Sequence, residues 1–137
     1  MSREISQDRI RDIAKRHRPK GWRVQESRKR WASSSGSAHW EHRTLYVPTL
    51  CDLDGLFIYM HEVGHVKQNH FNLKLPAHRE EYEAERYALH IFRNEGLPVT
   101  RDMLDTARSR LRGVIDRDIK HKVPIQRHIA RWAKHGG

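Results

Sequence analysis

Apolar residues change their spacing along this chain, and the changes mark its elements. Ile5, Ile10 and Ile13 recur near helical spacing among charged residues, which predicts an amphipathic helix over about 4–17, ended by Pro19 and Gly21. Gly21 to Gln25 follows as a short strand with Trp22 and Val24 on one face, and Ser33 to Ser37 as a flexible turn. Trp40 to Pro48 predicts one or two strands, because Thr44-Leu45-Tyr46-Val47 are good strand formers and Pro48 suits a strand end. Leu56 to Met60 is apolar nearly all round, so a helix over about 56–69, capped by Asp52 or Asp54, should be buried centrally. Pro76 precedes a helix over about 77–94, closed by Gly96 and Pro98. A further helix spans about 101–118, and Pro124 precedes a short last one. Strands early and helices late make this an α+β chain.

Composition narrows the class. With 137 residues the chain forms one domain, and 36% hydrophobic against 32% charged residues implies a small core, about 20–95. No run of eighteen apolar residues is present, so no membrane span is expected. The N-terminal residues lack the apolar stretch of a secretory signal, and the single Cys51 cannot form an internal disulfide. Both fit a cytoplasmic location.

Charge adds a second theme. The net +10 is carried by the flanks: residues 1–31 hold +7 and residues 101–137 hold +6, while the stretch between them is mildly acidic. Basic helical extensions over 1–18 and 100–137 would attract nucleic acid or an acidic protein. Arg28-Lys29-Arg30-Trp31, a basic run with an adjacent aromatic, fits such a contact.

The chemistry concentrates at His61-Glu62-Val63-Gly64-His65. On a helix, positions i and i+4 share a face, so two imidazoles can grip one metal ion while Glu62 reaches a water bound to it. A chain with 11 His meets this pattern by accident often enough to demand further support. The setting supplies some: Phe57, Ile58, Met60, Val63 and Val66 surround the histidines, and a buried imidazole needs a partner. Gly64 is unfavourable inside a helix unless another segment approaches closely there.

Catalytic zinc takes three protein ligands and keeps one position open. Helical phase sorts the glutamates that follow. At roughly 100° per residue, Glu81 shares a face with Ala84, Ala88, Ile91 and Phe92, Glu85 lies beside it, and Glu83 falls on the polar side. A carboxylate on an apolar face is costly unless paired or metal-bound. Glu81 is thus the preferred third ligand, with Glu85 accepting a ring N–H from His61. His78 and His70 compete for the same role. His70 comes one residue short of the metzincin spacing, and His78 would give a three-histidine, SprT-like site acting on DNA-bound proteins. Just before the motif helix, Arg43 to Val47 is the candidate edge strand for holding an extended peptide.

His-Glu-Val-Gly-His at 61–65 followed by Glu-Tyr-Glu-Ala-Glu-Arg-Tyr-Ala at 81–88 resembles the zincin metallopeptidases of the ImmA/IrrE type, over roughly residues 43–92. The resemblance implies a small zincin-like domain: a twisted, mainly antiparallel sheet of about three strands, an active-site helix, a glutamate helix packed against it, and helical terminal segments. It implies one zinc ion on His61, His65 and Glu81, with Glu62 as general base and a protein or peptide as substrate. Glu85 stands where the family carries Asp or Asn, and Ile91-Phe92-Arg93 replaces the usual Leu-Leu-Met-Pro ending, which places the chain in a divergent branch. Tyr87, Tyr46, His90 and His39 are candidate oxyanion donors, among which the sequence does not choose. The rival reading is a zincin-like module without catalysis that binds DNA or an acidic partner through its basic flanks.

Overall fold

The computed structural model describes residues 5–27 and 36–135; the basic run Arg28 to Trp31 and the first serines of the predicted turn lie outside the described residues. Helix α1 (Gln7–His17) starts later than its apolar spacing suggests because Ser6 caps it, the hydroxyl accepting from the Arg9 amide at 3.1 Å. Three short strands follow: β1 (Arg23–Ser27), β2 (Ser37–His39) and β3 (Thr44–Pro48). The stretch predicted as one or two strands therefore holds β3 and the turn before it, and β2 begins earlier, at the end of the predicted serine-rich turn.

The strands form one sheet in the order β1-β3-β2. β2 and β3 are antiparallel, joined by a tight reversal that ends at Arg43, whose φ of 47° is left-handed. β1 lies parallel to β3, with Arg23 opposite Thr44 and Ser27 opposite Pro48. The sheet is mixed, which corrects the expected mainly antiparallel arrangement. Its local pairing is a hairpin that turn chemistry makes legible, whereas the β1–β3 pairing closes across an intervening strand and leaves no local trace. A second correction follows. β3 is the central strand, its Leu45 and Val47 buried and both its edges paired, so Arg43 to Val47 offers no free backbone to a peptide. Among the described residues, the strand with an unpaired edge on that side is β2.

Helix α2 (Leu53–Lys67) is capped by Asp52, whose carboxylate accepts from the Gly55 amide at 2.8 Å. Its residues 55 to 64 are buried without a break, as the all-round apolar run requires. It stops short of Asn69, which adopts a left-handed φ of 58°. A four-residue helix, α3 (His70–Leu73), is interposed there and has no counterpart in the apolar spacing. α4 (Ala77–Asn94) has the predicted bounds, and α5 (Arg101–Lys120), capped by Thr100, runs two residues further than expected. α6 (Arg127–His135) closes the chain.

The terminal helices are not appendages. Ile10 and Ile13 of α1, Met103 and Leu111 of α5, and Ile129 and Trp132 of α6 join Leu45, Leu56, Met60, Leu89 and Phe92 in one apolar core. The Tyr59 hydroxyl donates to the Ala14 carbonyl at 2.6 Å and fixes α1 against the central helix. Among the described residues no helix is long and apolar enough to cross a membrane.

Candidate metal centre

Packing of α4 across α2 builds the site. Gly64 makes the approach possible: a β-carbon there would stand 3.0 Å from Cβ and 3.1 Å from Cγ of Tyr87. The tyrosine ring lies on the motif helix where any other residue would hold it off, and this answers why a glycine interrupts the helix. At this crossing the ligand atoms of His61, His65 and Glu81 come within 4.8 Å of one another, a group that can hold a metal ion. His61 Nε2 lies 2.9 Å from Glu81 Oε1 and 3.1 Å from His65 Nε2, and His65 Nε2 lies 3.4 Å from Glu81 Oε2.

Whether these donors suit a cation depends on which ring nitrogens carry hydrogen, and the hydrogen-bond pattern assigns that. His61 Nδ1 faces the fully buried Glu85 carboxylate at 2.7 Å, so it carries the proton and donates. Its Nε2 then presents a lone pair to the cluster in the neutral ring. His65 Nδ1 lies 2.8 Å from Nδ1 of the buried His70, and His70 Nε2 lies 2.9 Å from Glu83 Oε1. The carboxylate accepts only, which orders the chain: His70 Nε2–H donates to Glu83, and His65 Nδ1–H donates to His70. Both cluster histidines thereby aim Nε2 at the same point as Glu81. Two imidazole nitrogens and a carboxylate oxygen match the donor set of a three-ligand zinc site.

The buried charge of Glu85 has its own counter-ion. Arg110, from α5, donates through Nη2 to both carboxylate oxygens at 3.1 Å. Neither Arg110 nor the Glu83–His70 link is visible in the spacing that identifies Glu81 and Glu85. Burial of Glu85 demands a partner, but only the docking of α5 says which residue supplies it. Glu83 does lie away from the core, as its phase predicts, and α3 folds over to meet it.

Electrostatics in the cluster are strong. Burial depresses the affinity of His61 for a proton, yet the Glu85 and Glu81 carboxylates outweigh it and raise its pKa to about 10. Burial would lift Glu81, but the His61 and His65 rings beside its oxygens hold it well below the usual carboxylate range. Glu62 is buried, its Oε2 lies 3.9 Å from His61 Nε2, and desolvation leads in pushing its pKa up against the pull of both histidines. Glu80, which also feels the His65 and His70 rings, is likewise raised by burial, but Glu62 is the more deeply buried of the two.

The other candidates fall elsewhere. His78 is completely buried but belongs to a different contact: its Nδ1 lies 2.7 Å from Asp118 Oδ2, and its Nε2 accepts weakly from the Gln126 amide at 3.4 Å. The structure does not bring it to the cluster. His70 is adjacent but bonds to a cluster histidine rather than joining the group. His90 is exposed and pairs with Asn94 of its own helix, and His39 packs edge-on against Tyr46. Tyr87 is half-buried against Gly64, and burial raises its pKa.

No protein-family model, curated protein or solved structure matches the chain. Its function must therefore be argued from the site itself.

Proposed function

We propose that the protein is a zinc-dependent peptidase, and the observation that carries this reading is the convergence of His61 Nε2, His65 Nε2 and Glu81 beside the buried Glu62. A zinc ion held by these three residues would supply Lewis acidity, polarising a scissile carbonyl and lowering the pKa of its water toward neutrality. Glu62 takes a proton from the attacking water as the new C–O bond forms, then delivers it to the amine as the C–N bond breaks. The raised pKa of Glu62 suits both halves of that transfer. Glu85, itself neutralised by Arg110, keeps the His61 ring in the tautomer that leaves Nε2 free.

The fold also supports an extended peptide as substrate. Among the described residues β2 has an unpaired edge, and it enters the sheet at Gly36, where a β-carbon would stand 3.1 Å from Glu62 Cγ and 3.0 Å from Ile58 Cγ2. A peptide pairing with β2 would run past the base. One helical turn before Glu62, a cavity of about 210 Å³ lined by Phe57, Ile58, Met103 and Arg110 offers room for a side chain.

The SprT-like alternative loses its basis, since the histidine it needs as a ligand is held by Asp118. Of the basic flanks, Arg11 and Arg16 of α1 are paired with Glu26 and Glu95. The decisive test is Glu62→Gln. It should retain one zinc per chain and lose about 10²–10⁴-fold in the rate of peptide hydrolysis. Full activity in that variant would end the assignment of Glu62 as base.

A further inference from the structure

The short helix α3 is built the wrong way round for stability. Leu73 stands 55% exposed and Phe71 57% exposed with its ring stacked on Trp40 at 5.1 Å, while the polar His70 is only 4% exposed. Both ends of the segment are held in left-handed backbone, Asn69 at φ 58° and Lys74 at φ 52°, a region that Asn tolerates and Lys seldom adopts. A chain free to choose would turn its apolar side chains inward. Unfavourable backbone and exposed apolar surface around a buried histidine mark a segment shaped for that histidine.

Among the described residues His70 meets two groups through its ring nitrogens. Nδ1 lies 2.8 Å from His65 Nδ1, and Nε2 lies 2.9 Å from Glu83 Oε1. Glu83 is anchored in turn by Arg79, whose Nε donates to Oε2 at 3.1 Å. From the cluster outward the order is thus His65, His70, Glu83, Arg79. The other cluster histidine has a simpler arrangement, with His61 donating directly to a carboxylate. Among the described residues the hydrogen-bond partner of His65 Nδ1 is His70, and this imidazole is interposed to carry the same constraint one ring further.

We propose that His70, oriented by Glu83, is a positioning residue for the metal centre: it accepts the Nδ1–H of His65 and so fixes the tautomer and ring plane that aim His65 Nε2 at the metal. This rests on His61, His65 and Glu81 forming a metal centre, and not on peptide hydrolysis. The inverted burial of α3 is the structural consequence of bringing that acceptor in. An amide oxygen at position 70 can accept the same hydrogen bond, whereas an aromatic hydrocarbon fills the space and accepts none.

The test is zinc affinity of the full chain, measured by competition with a chromophoric chelator, alongside the visible spectrum of the cobalt-substituted protein. His70→Phe should weaken zinc about 10- to 100-fold and alter the cobalt bands, and His70→Gln should recover most of both. Thermal unfolding of the metal-free proteins separates this from general damage. Glu83→Ala, which removes only the outer anchor, should shift affinity in the same direction by a smaller factor, and it keeps the test available if His70→Phe does not fold. Unchanged zinc affinity in Glu83→Ala and in whichever position-70 variant folds would overturn the proposal. X-ray absorption would do so too, by finding three histidine nitrogens on zinc in the wild type and two in the position-70 variant, because His70 would then be a ligand. A chain that binds zinc in a His70-dependent way yet cleaves no peptide would sink the peptidase reading and leave this one standing.

Discussion

His61 and His78 are alike on one side and opposite on the other. Both are nearly or fully buried, at 4% and 0% exposure, and each sets Nδ1 at 2.7 Å from a carboxylate oxygen, Glu85 for one and Asp118 for the other. They part at Nε2. His61 turns it toward a second imidazole and a second carboxylate, whereas His78 turns it to a backbone amide in the segment leading to α6. A buried histidine paired with an acid is therefore no mark of a metal site. The mark is a ring nitrogen whose neighbours are other lone-pair-bearing atoms, since one cation can satisfy several lone pairs at once.

The widest separation between the two should appear in metal binding. Glu81→Ala removes a proposed ligand and should weaken zinc by at least about 10²-fold, with His78→Leu leaving both affinity and stoichiometry near wild type. Calorimetric titration of the two variants decides this; zinc lost from His78→Leu but kept by Glu81→Ala would put His78 in the ligand set in place of Glu81.

Next in size is the pH dependence. In the metal-free protein His61 holds its proton up to about 10, above its ordinary value of 6.5. The ionic cluster consequently stabilises the fold fully below 6.5 and loses that contribution as the pH rises through about 10. Zinc must displace the same proton, so its affinity should climb with pH by about tenfold per unit between those limits. Titrations in buffers of different ionisation enthalpy would count the proton released. A flat profile would mean that the cluster holds no such proton, and the contrast with His78 should persist, because His78→Leu ought to leave the slope as it is.

The smallest effect lies on the structural side. His78→Leu leaves the Asp118 carboxylate without its ring donor, with the His78 amide at 3.0 Å as its remaining described partner. Folding stability should drop by about 1–3 kcal/mol, readable as a lower midpoint in chemical denaturation. If stability is unchanged while zinc affinity falls, the two histidines would not divide their roles as described.

How much of this was legible beforehand varies with the range of the contact. The bounds of α4, the burial of α2 and the inward phase of Glu81 and Glu85 all followed from spacing along one helix. The parallel β1–β3 pairing did not, nor did the displacement of the free edge from β3 to β2, because both depend on a strand order fixed by distant segments. His70 shows the limit most clearly. Sequence spacing offered it as a rival ligand, and it stands instead behind a ligand, because α3 reverses the chain through left-handed residues that carry no apolar signal. Arg110 was invisible for a similar reason: nothing along α5 distinguishes it from the other arginines there.

The sequence alone determined the residue types at the site and their phase on two helices, for the spacing of His61, Glu62 and His65 and of Glu81 and Glu85 is a property of helical geometry. Only the tertiary structure decided that the two helices cross at Gly64 closely enough to merge those faces into one cluster. It also decided which acceptors take the outward N–H of each ring. Helical periodicity is a local law readable from order along the chain, whereas the approach of two helices and the docking of a third depend on how the whole core packs.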